Sequence, residues 1–180
     1  MAHHLHIFGA SGSGTSTLGA HLARAIDGAH LDTDAYYWQP TEPPFTHKRE
    51  PTERVSLIER DLRDQEHWVL SGSLCSWGEP LLHHFTLAVF LFLDPAVRMQ
   101  RLADRERAHY GSRIDPGGDM CAQHLEFMRW AASYDHSRAP MRSLDLHERW
   151  MSELSCPVVR LDSGQPLAQL CNSVLARLAG

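Results

Sequence analysis

Lysine is almost missing from this chain. Of its 17 lysine and arginine residues, 16 are arginine, and Lys48 is the sole lysine in 180 positions. Any chemistry that requires a lysine has to use that one or do without. Cysteine is also sparse: Cys75, Cys121, Cys156 and Cys171 are scattered, with no CxxC pair. Such spacing reads as reduced thiols, not as a disulfide or zinc framework. Long apolar runs are absent. The longest, Leu87 to Leu93, falls far short of the roughly 20 residues that a bilayer span needs, so no membrane role is expected. The N-terminus lacks a basic segment followed by an apolar core and cleavage site, which sets the expectation of a cytoplasmic protein. Positive charge is not in excess either. A formal charge of −5 and a pI near 6.2 argue against a nucleic-acid partner.

What remains is the composition of one ordinary domain spanning residues 1–180, 43% hydrophobic and 22% charged, large enough to bury a core without staples. Thirteen histidines stand out, but no HExxH or ligand-spaced Cys/His set occurs. His3, His4 and His6 read as polar residues leading into and lining a strand end, with a metal site as the alternative.

Periodicity then divides the chain. Leu5 to Phe8 is a short strand that ends in a glycine-rich turn, Gly9 to Gly14, and Leu18, Leu22 and Ile26 mark the helix that follows. Further strands are expected at His30-Leu31, Trp68 to Leu70, Leu87 to Leu93 and Pro157 to Leu161. Helices are expected at about 51–65, from Pro95 to near Arg107, at 121–135, 142–153 and 166–178, with loop chemistry at 109–119. Alternating strands and helices predict an α/β fold with a five-stranded parallel sheet, whose ligands sit at the carboxyl ends of the strands.

The chemistry-bearing motif is Gly9-Ala10-Ser11-Gly12-Ser13-Gly14-Thr15-Ser16. It fits GxxxxGK[ST] at every fixed place but one, because Thr15 occupies the lysine position. The glycines allow backbone N–H groups to turn inward around phosphate, and the helix start adds its positive end. Ser16 falls where a hydroxyl binds Mg2+, and Thr17 is placed to donate to an adjacent phosphate. Asp32 and Asp34 follow the second strand, and alternation on an extended segment would point both at one site; the alternative is that one caps the following turn. Asp94-Pro95 imitates the acidic end of a nucleotide-binding strand but reads better as a helix cap. Arg98, Arg101 and Arg105 share a helical face, and Tyr36, Tyr37, Trp38 and Trp77 are open to either stacking on an acceptor or core packing.

Taken together, GASGSGTSTLG, DTDAYYW, SGSLCSWG and GSRIDPGGDM resemble the shikimate kinase, adenylate kinase and nucleoside kinase group of P-loop phosphotransferases, and more closely a bacterial family of adenylate kinase-like P-loop proteins. The resemblance covers nearly the whole chain. It implies a P-loop fold with a helical lid at about 105–120 and an acceptor-side region at about 35–66. It implies ATP and Mg2+ as cofactors, with donor phosphates on Gly9, Gly12, Ser13, Gly14, Thr15, Ser16 and Thr17, and metal on Ser16 and Asp32. Asp34 would contact the acceptor and act in catalysis, with Arg105 and Arg113 as lid arginines. Tyr37, Lys48, Arg49 and Gly72 would complete the acceptor side. The implied partner is a small-molecule acceptor, a nucleotide or nucleoside, bound by a monomer or homodimer. A nucleotide-binding regulatory module without turnover is the competing reading, because Thr15 cannot supply the lysine charge.

Overall fold

The computed structural model of the protein describes residues 1–42, 44–138 and 142–179. Five strands, β1 (His4–Gly9), β2 (Ala29–Asp32), β3 (Trp68–Ser71), β4 (Leu87–Phe92) and β5 (Val158–Asp162), form one parallel sheet in the order β2-β3-β1-β4-β5. Among the described residues seven helices accompany them: α1 (Thr15–Ala25), α2 (Thr33–Tyr37), α3 (Pro51–Leu62), α4 (Pro95–Tyr110), α5 (Cys121–Ala132), α6 (Leu144–Glu153) and α7 (Leu167–Leu178). Among the described residues, short 3-10 turns lie at Glu79–His84 and at Gly111–Ile114, the second within the segment 109–119 expected to be loop. Among the described residues no helix is long and apolar enough to cross a membrane.

The sheet is buried on both faces, which explains why β4 is apolar throughout. Leu5, Ile7, Val69, Val89 and Leu91 pack with Leu18 and Leu22 of α1 and Leu170 and Val174 of α7. Alternate residues Phe8, Trp68, Leu70, Ala88 and Phe90 face the other way, toward Val55 and Ile58 of α3 and Trp150 and Met151 of α6. His6 belongs to this second face. It is fully buried, stacked against Phe8 and Phe85 with ring centroids 4.7 and 4.8 Å away. It is therefore a core residue, where the sequence suggested a strand-end polar residue or a metal ligand. Among the described residues no group of three or more histidine, cysteine, aspartate or glutamate side chains is arranged to hold a metal.

Three local devices fix the working edge of the sheet. Asp32 ends β2 and caps α2, its Oδ1 accepting from the Asp34 N–H at 3.0 Å. Asp94 caps α4, accepting from the amides of Ala96 (2.9 Å) and Val97 (3.1 Å), with Pro95 at the first helical position. Asp94→Ala should therefore destabilise the fold by about 1 kcal/mol in a chemical denaturation curve and leave MgATP affinity unchanged. A matching loss of nucleotide binding would show that Asp94 belongs to the site after all. The third device is Arg98, which the helical spacing puts on one face with Arg101 and Arg105. It is 1% exposed, ion-paired with Asp135, donates to the Ala131 carbonyl at 3.0 Å, and ties α4 to the end of α5.

Candidate active site

The loop between β1 and α1 wraps one end of a cleft of about 310 Å³ at the carboxyl ends of the strands. Gly12 sits at φ +85°, and a Cβ there would lie 2.9 Å from Leu102 Cγ of α4. Only glycine allows both this left-handed turn and the close approach of α4. Gly9, Gly12, Gly14, Thr15, Ser16 and Thr17 all line the cleft. Ser13 does not; its hydroxyl is fully buried and has no hydrogen-bond partner among the described residues. The α1 amides that follow Gly14 open toward this space, as a helix start that binds anions requires.

The oxygen ligands expected of a divalent cation are already together. Ser16 Oγ donates to Asp32 Oδ2, and Ser71 Oγ at the end of β3 donates to the same carboxylate oxygen at 3.2 Å. Hard oxygen donors of this type fit Mg2+, which is commonly held by one or two protein oxygens, substrate phosphate and water. His30 Nε2 lies 2.9 Å from Ser71 Oγ and orders the far side of the group.

Asp34 lines the cleft from the first turn of α2. The expectation that Asp32 and Asp34 share an extended segment is corrected here: a helix begins between them, and the cap bond brings both to the cleft by another route. Asp34 is reached from the cleft yet crowded by protein. That desolvation, followed by the negative charge of Asp32, raises its pKa, against opposing pulls from Arg142 and Arg105. Gly72, at φ +105°, forms the wall beside it. A Cβ there would lie 1.8 Å from Thr33 Oγ1, so the turn after β3 and the start of α2 fit only with glycine.

The cations fall elsewhere than the sequence suggested. Arg105 lines the cleft as expected, and so does Arg101. Arg113 is outside the lining; its guanidinium is held bidentately by Asp119, with the shorter contact at 2.7 Å, and lies 3.9 Å from Glu42. Lys48 is also outside, in an antiparallel bridge with Trp38, its Nζ 5.7 Å from the Tyr37 ring and 5.9 Å from the Trp38 ring. Arg49 donates to the Trp38 carbonyl at 2.8 Å and pairs with Glu53. Tyr37 is packed edge-on against Trp38 and Trp77, and the Arg54 guanidinium covers its face at 3.9 Å. The structure thus does not bring Tyr37, Lys48, Arg49 or Arg113 to the cleft, because each is held by partners within its own neighbourhood.

One cleft cation had no signal in the sequence. Arg142 lines the site from the connection between α5 and α6, 4.7 Å from the Trp130 ring, with Asp34 foremost among the charges that act on it. Burial lowers its pKa, and among the described residues it has no hydrogen bond or ion pair. No helical period or motif marks position 142.

Comparison with known proteins now assigns the chain. A family model described as an AAA domain matches residues 6–117, more than half of the length, from within β1 to the loop after α4. The chain belongs to this AAA domain family. YqaC of Bacillus subtilis (strain 168), an uncharacterized protein, is 44% identical to this AAA domain protein over 179 residues, 99% of each chain. The fold is similar to solved small-molecule kinases. A gluconokinase from Sinorhizobium meliloti 1021 superposes with a TM-score of 0.58 at 22% identity, over 99% of this chain and 92% of its own. A shikimate kinase from Bacteroides thetaiotaomicron gives 0.57 at 16%, over all of both chains. A shikimate kinase from Acinetobacter baumannii in complex with shikimate gives 0.57 at 15%, over 99% and 94%. At these identities the likeness establishes the P-loop kinase fold of this AAA domain protein.

Proposed function

We propose that the protein is an ATP-dependent phosphotransferase acting on a small molecule. The observation that carries this is the convergence of three chemistries on one cleft: the amides of the Gly9–Thr17 turn, the Ser16 and Asp32 oxygens, and the Asp34 carboxylate. The turn holds the donor phosphates through backbone N–H groups. Ser16 and Asp32 would hold Mg2+, which when bound would offset phosphate charge. Asp34 accepts the hydroxyl proton of the acceptor, whose oxygen forms a bond to the γ-phosphorus. The bond from that phosphorus to the β–γ bridging oxygen breaks, and its electron pair leaves with ADP. The raised pKa of Asp34 suits a carboxylate that takes up a proton.

The family resemblance favours a nucleotide or nucleoside as acceptor. A specific observation favours a second class, a small hydroxy compound with an anionic group. Arg142 presents a half-buried guanidinium beside Asp34 with no anionic partner bonded to it among the described residues, and an unpaired cation in such a place is stabilised by a bound anion. The aromatic faces that a base would need are meanwhile covered by Arg54, Lys48 and each other. The similar solved structures named gluconokinase and shikimate kinase agree with this second class. A screen of nucleosides, nucleoside monophosphates and small hydroxy acids for acceptor-dependent ADP formation tests the reading. Transfer to one class is expected. Tight MgATP binding with transfer to none would favour the nucleotide-binding regulatory module.

A further inference from the structure

The P-loop of this protein lacks the cation that normally bridges the β and γ phosphates, since position 15 is threonine. Three replacements are conceivable from charge alone: the sole lysine, an arginine of the acceptor side, or an arginine of α4. Lys48 is excluded by its place. It lies outside the cleft lining, against the Tyr37 and Trp38 rings. Arg142 lies on the acceptor side, where Asp34, Cys75, Tyr134 and Tyr37 are the groups that feel its charge. Arg101 is turned toward the loop after β5, its Nη1 3.5 Å from the Ser163 carbonyl.

Arg105 is left, and its setting is suited to the task. It lines the same cleft as the Gly12–Thr17 turn, and it is close enough to Asp34 for its charge to lower that carboxylate's pKa. It therefore shares one cleft with the residues of the phosphate turn and with Asp34. Among the described residues its guanidinium has no hydrogen bond or ion pair, only the Phe127 ring at 5.8 Å. The backbone beneath it is fixed. Leu102 fills the space under Gly12, the Arg98 carbonyl lies 3.2 Å from where a Gly12 Cβ would be, and the Arg98 side chain is anchored to Asp135 and Ala131. Helix α4 is thereby docked directly on the phosphate turn, and one helical turn beyond that contact it presents a free guanidinium.

We infer that Arg105 carries the donor-phosphate charge that Thr15 cannot, so that the P-loop cation of this chain resides on α4. The inference rests on the phosphotransferase reading above and extends it from a general lid arginine to a specific exchange between positions 15 and 105. A guanidinium fork can meet two phosphate oxygens at once, which a lysine ammonium does as a point charge.

Isothermal titration of the full chain with MgADP and with the Mg2+ complex of AMP-PNP, a non-hydrolysable ATP analogue, separates the possibilities. Arg105→Ala should weaken AMP-PNP binding by about 10- to 100-fold and change ADP binding far less, because the charge acts at the β–γ junction. Adding Thr15→Lys to that variant should restore most of the lost affinity, and Arg105→Lys should retain part of it. Lys48→Ala should behave as the wild type. Unchanged AMP-PNP affinity in Arg105→Ala, equal loss for both nucleotides, or no recovery with Thr15→Lys would each overturn the inference. Failure of the wild type to bind either nucleotide would overturn the donor-site reading and this inference with it.

Discussion

Asp34→Asn is expected to slow phosphoryl transfer by about 10²- to 10⁴-fold, the range for removing a positioned general base, while MgATP affinity stays close to that of the wild type. The two effects separate because Asp34 lines the cleft from α2 and is no part of the Gly9–Thr17 turn, and its cap bond runs through the backbone N–H, which asparagine keeps. A pH profile gives an independent check. Desolvation and the Asp32 charge raise the Asp34 pKa, so the acid limb of kcat/KM should lie above the range of an ordinary carboxylate. Activity should fall as pH drops through that limb and Asp34 takes up its proton. In Asp34→Asn the limb should vanish along with most of the rate. An unchanged rate, or a rate lost only through weaker nucleotide binding, would remove Asp34 from the proton-transfer role.

The second large effect is on stability in acid. His6 and His147 are fully buried, and desolvation lowers each pKa to about 3 from the ordinary 6.5. Below pH 6.5 the unfolded chain binds protons at both positions that the folded chain refuses. Stability therefore falls as pH falls, by about 1.4 kcal/mol per pH unit for each histidine and about 2.7 for the pair, down to roughly pH 3.5. The lowered pKa values of His3 and His84 act in the same direction, and the raised Asp34 acts against them. His6→Phe isolates one contribution. The ring stacks between Phe8 and Phe85, its Nε2 has no partner among the described residues, and its Nδ1 lies 3.3 Å from the Leu70 carbonyl. Phenylalanine should keep the packing and reduce the acid slope of the unfolding free energy by about half. A slope that His6→Phe leaves unchanged would place the acid sensitivity elsewhere.

His147 marks where sequence reading stopped short. The ring bridges the Tyr134 hydroxyl at 2.6 Å and Ser73 Oγ at 3.1 Å, joining the end of α5 to the turn after β3. Burial keeps the Tyr134 hydroxyl neutral, and a neutral ring satisfies both contacts by accepting from one hydroxyl and donating to the other. All three residues are polar and far apart in the chain, so no period could pair them. Elements built on local rules were legible: the strands from apolar runs, α1 and α7 from their spacing, the Asp94 cap from the following proline. The P-loop was legible because its glycines have consecutive positions and a backbone purpose. The acceptor side was not, because its shape depends on long-range contacts. Arg54 folds onto Tyr37, Arg113 is drawn to Asp119, and Arg142 arrives from a connection that carries no pattern. Helix α2 was missed because five residues are too few to show a period.

The scarcity of lysine gives these differences a common thread. A chain with a lysine in its phosphate loop has its cation on the donor by sequence adjacency; here the arginines that line the cleft come from α4 and from the α5–α6 connection. On the proposed reading, the anchoring of α4 by Arg98 and Leu102 serves the chemistry as well as the fold.

The claim on which the rest depends is that the Gly9–Thr17 turn holds the phosphates of a nucleotide despite Thr15. Titration calorimetry of the wild-type chain with MgATP, repeated in the presence of inorganic tripolyphosphate, tests it most directly. The account predicts saturable binding at one site per chain, with tripolyphosphate competing for that site. Absence of saturable binding, or binding that tripolyphosphate leaves undisturbed, would contradict it.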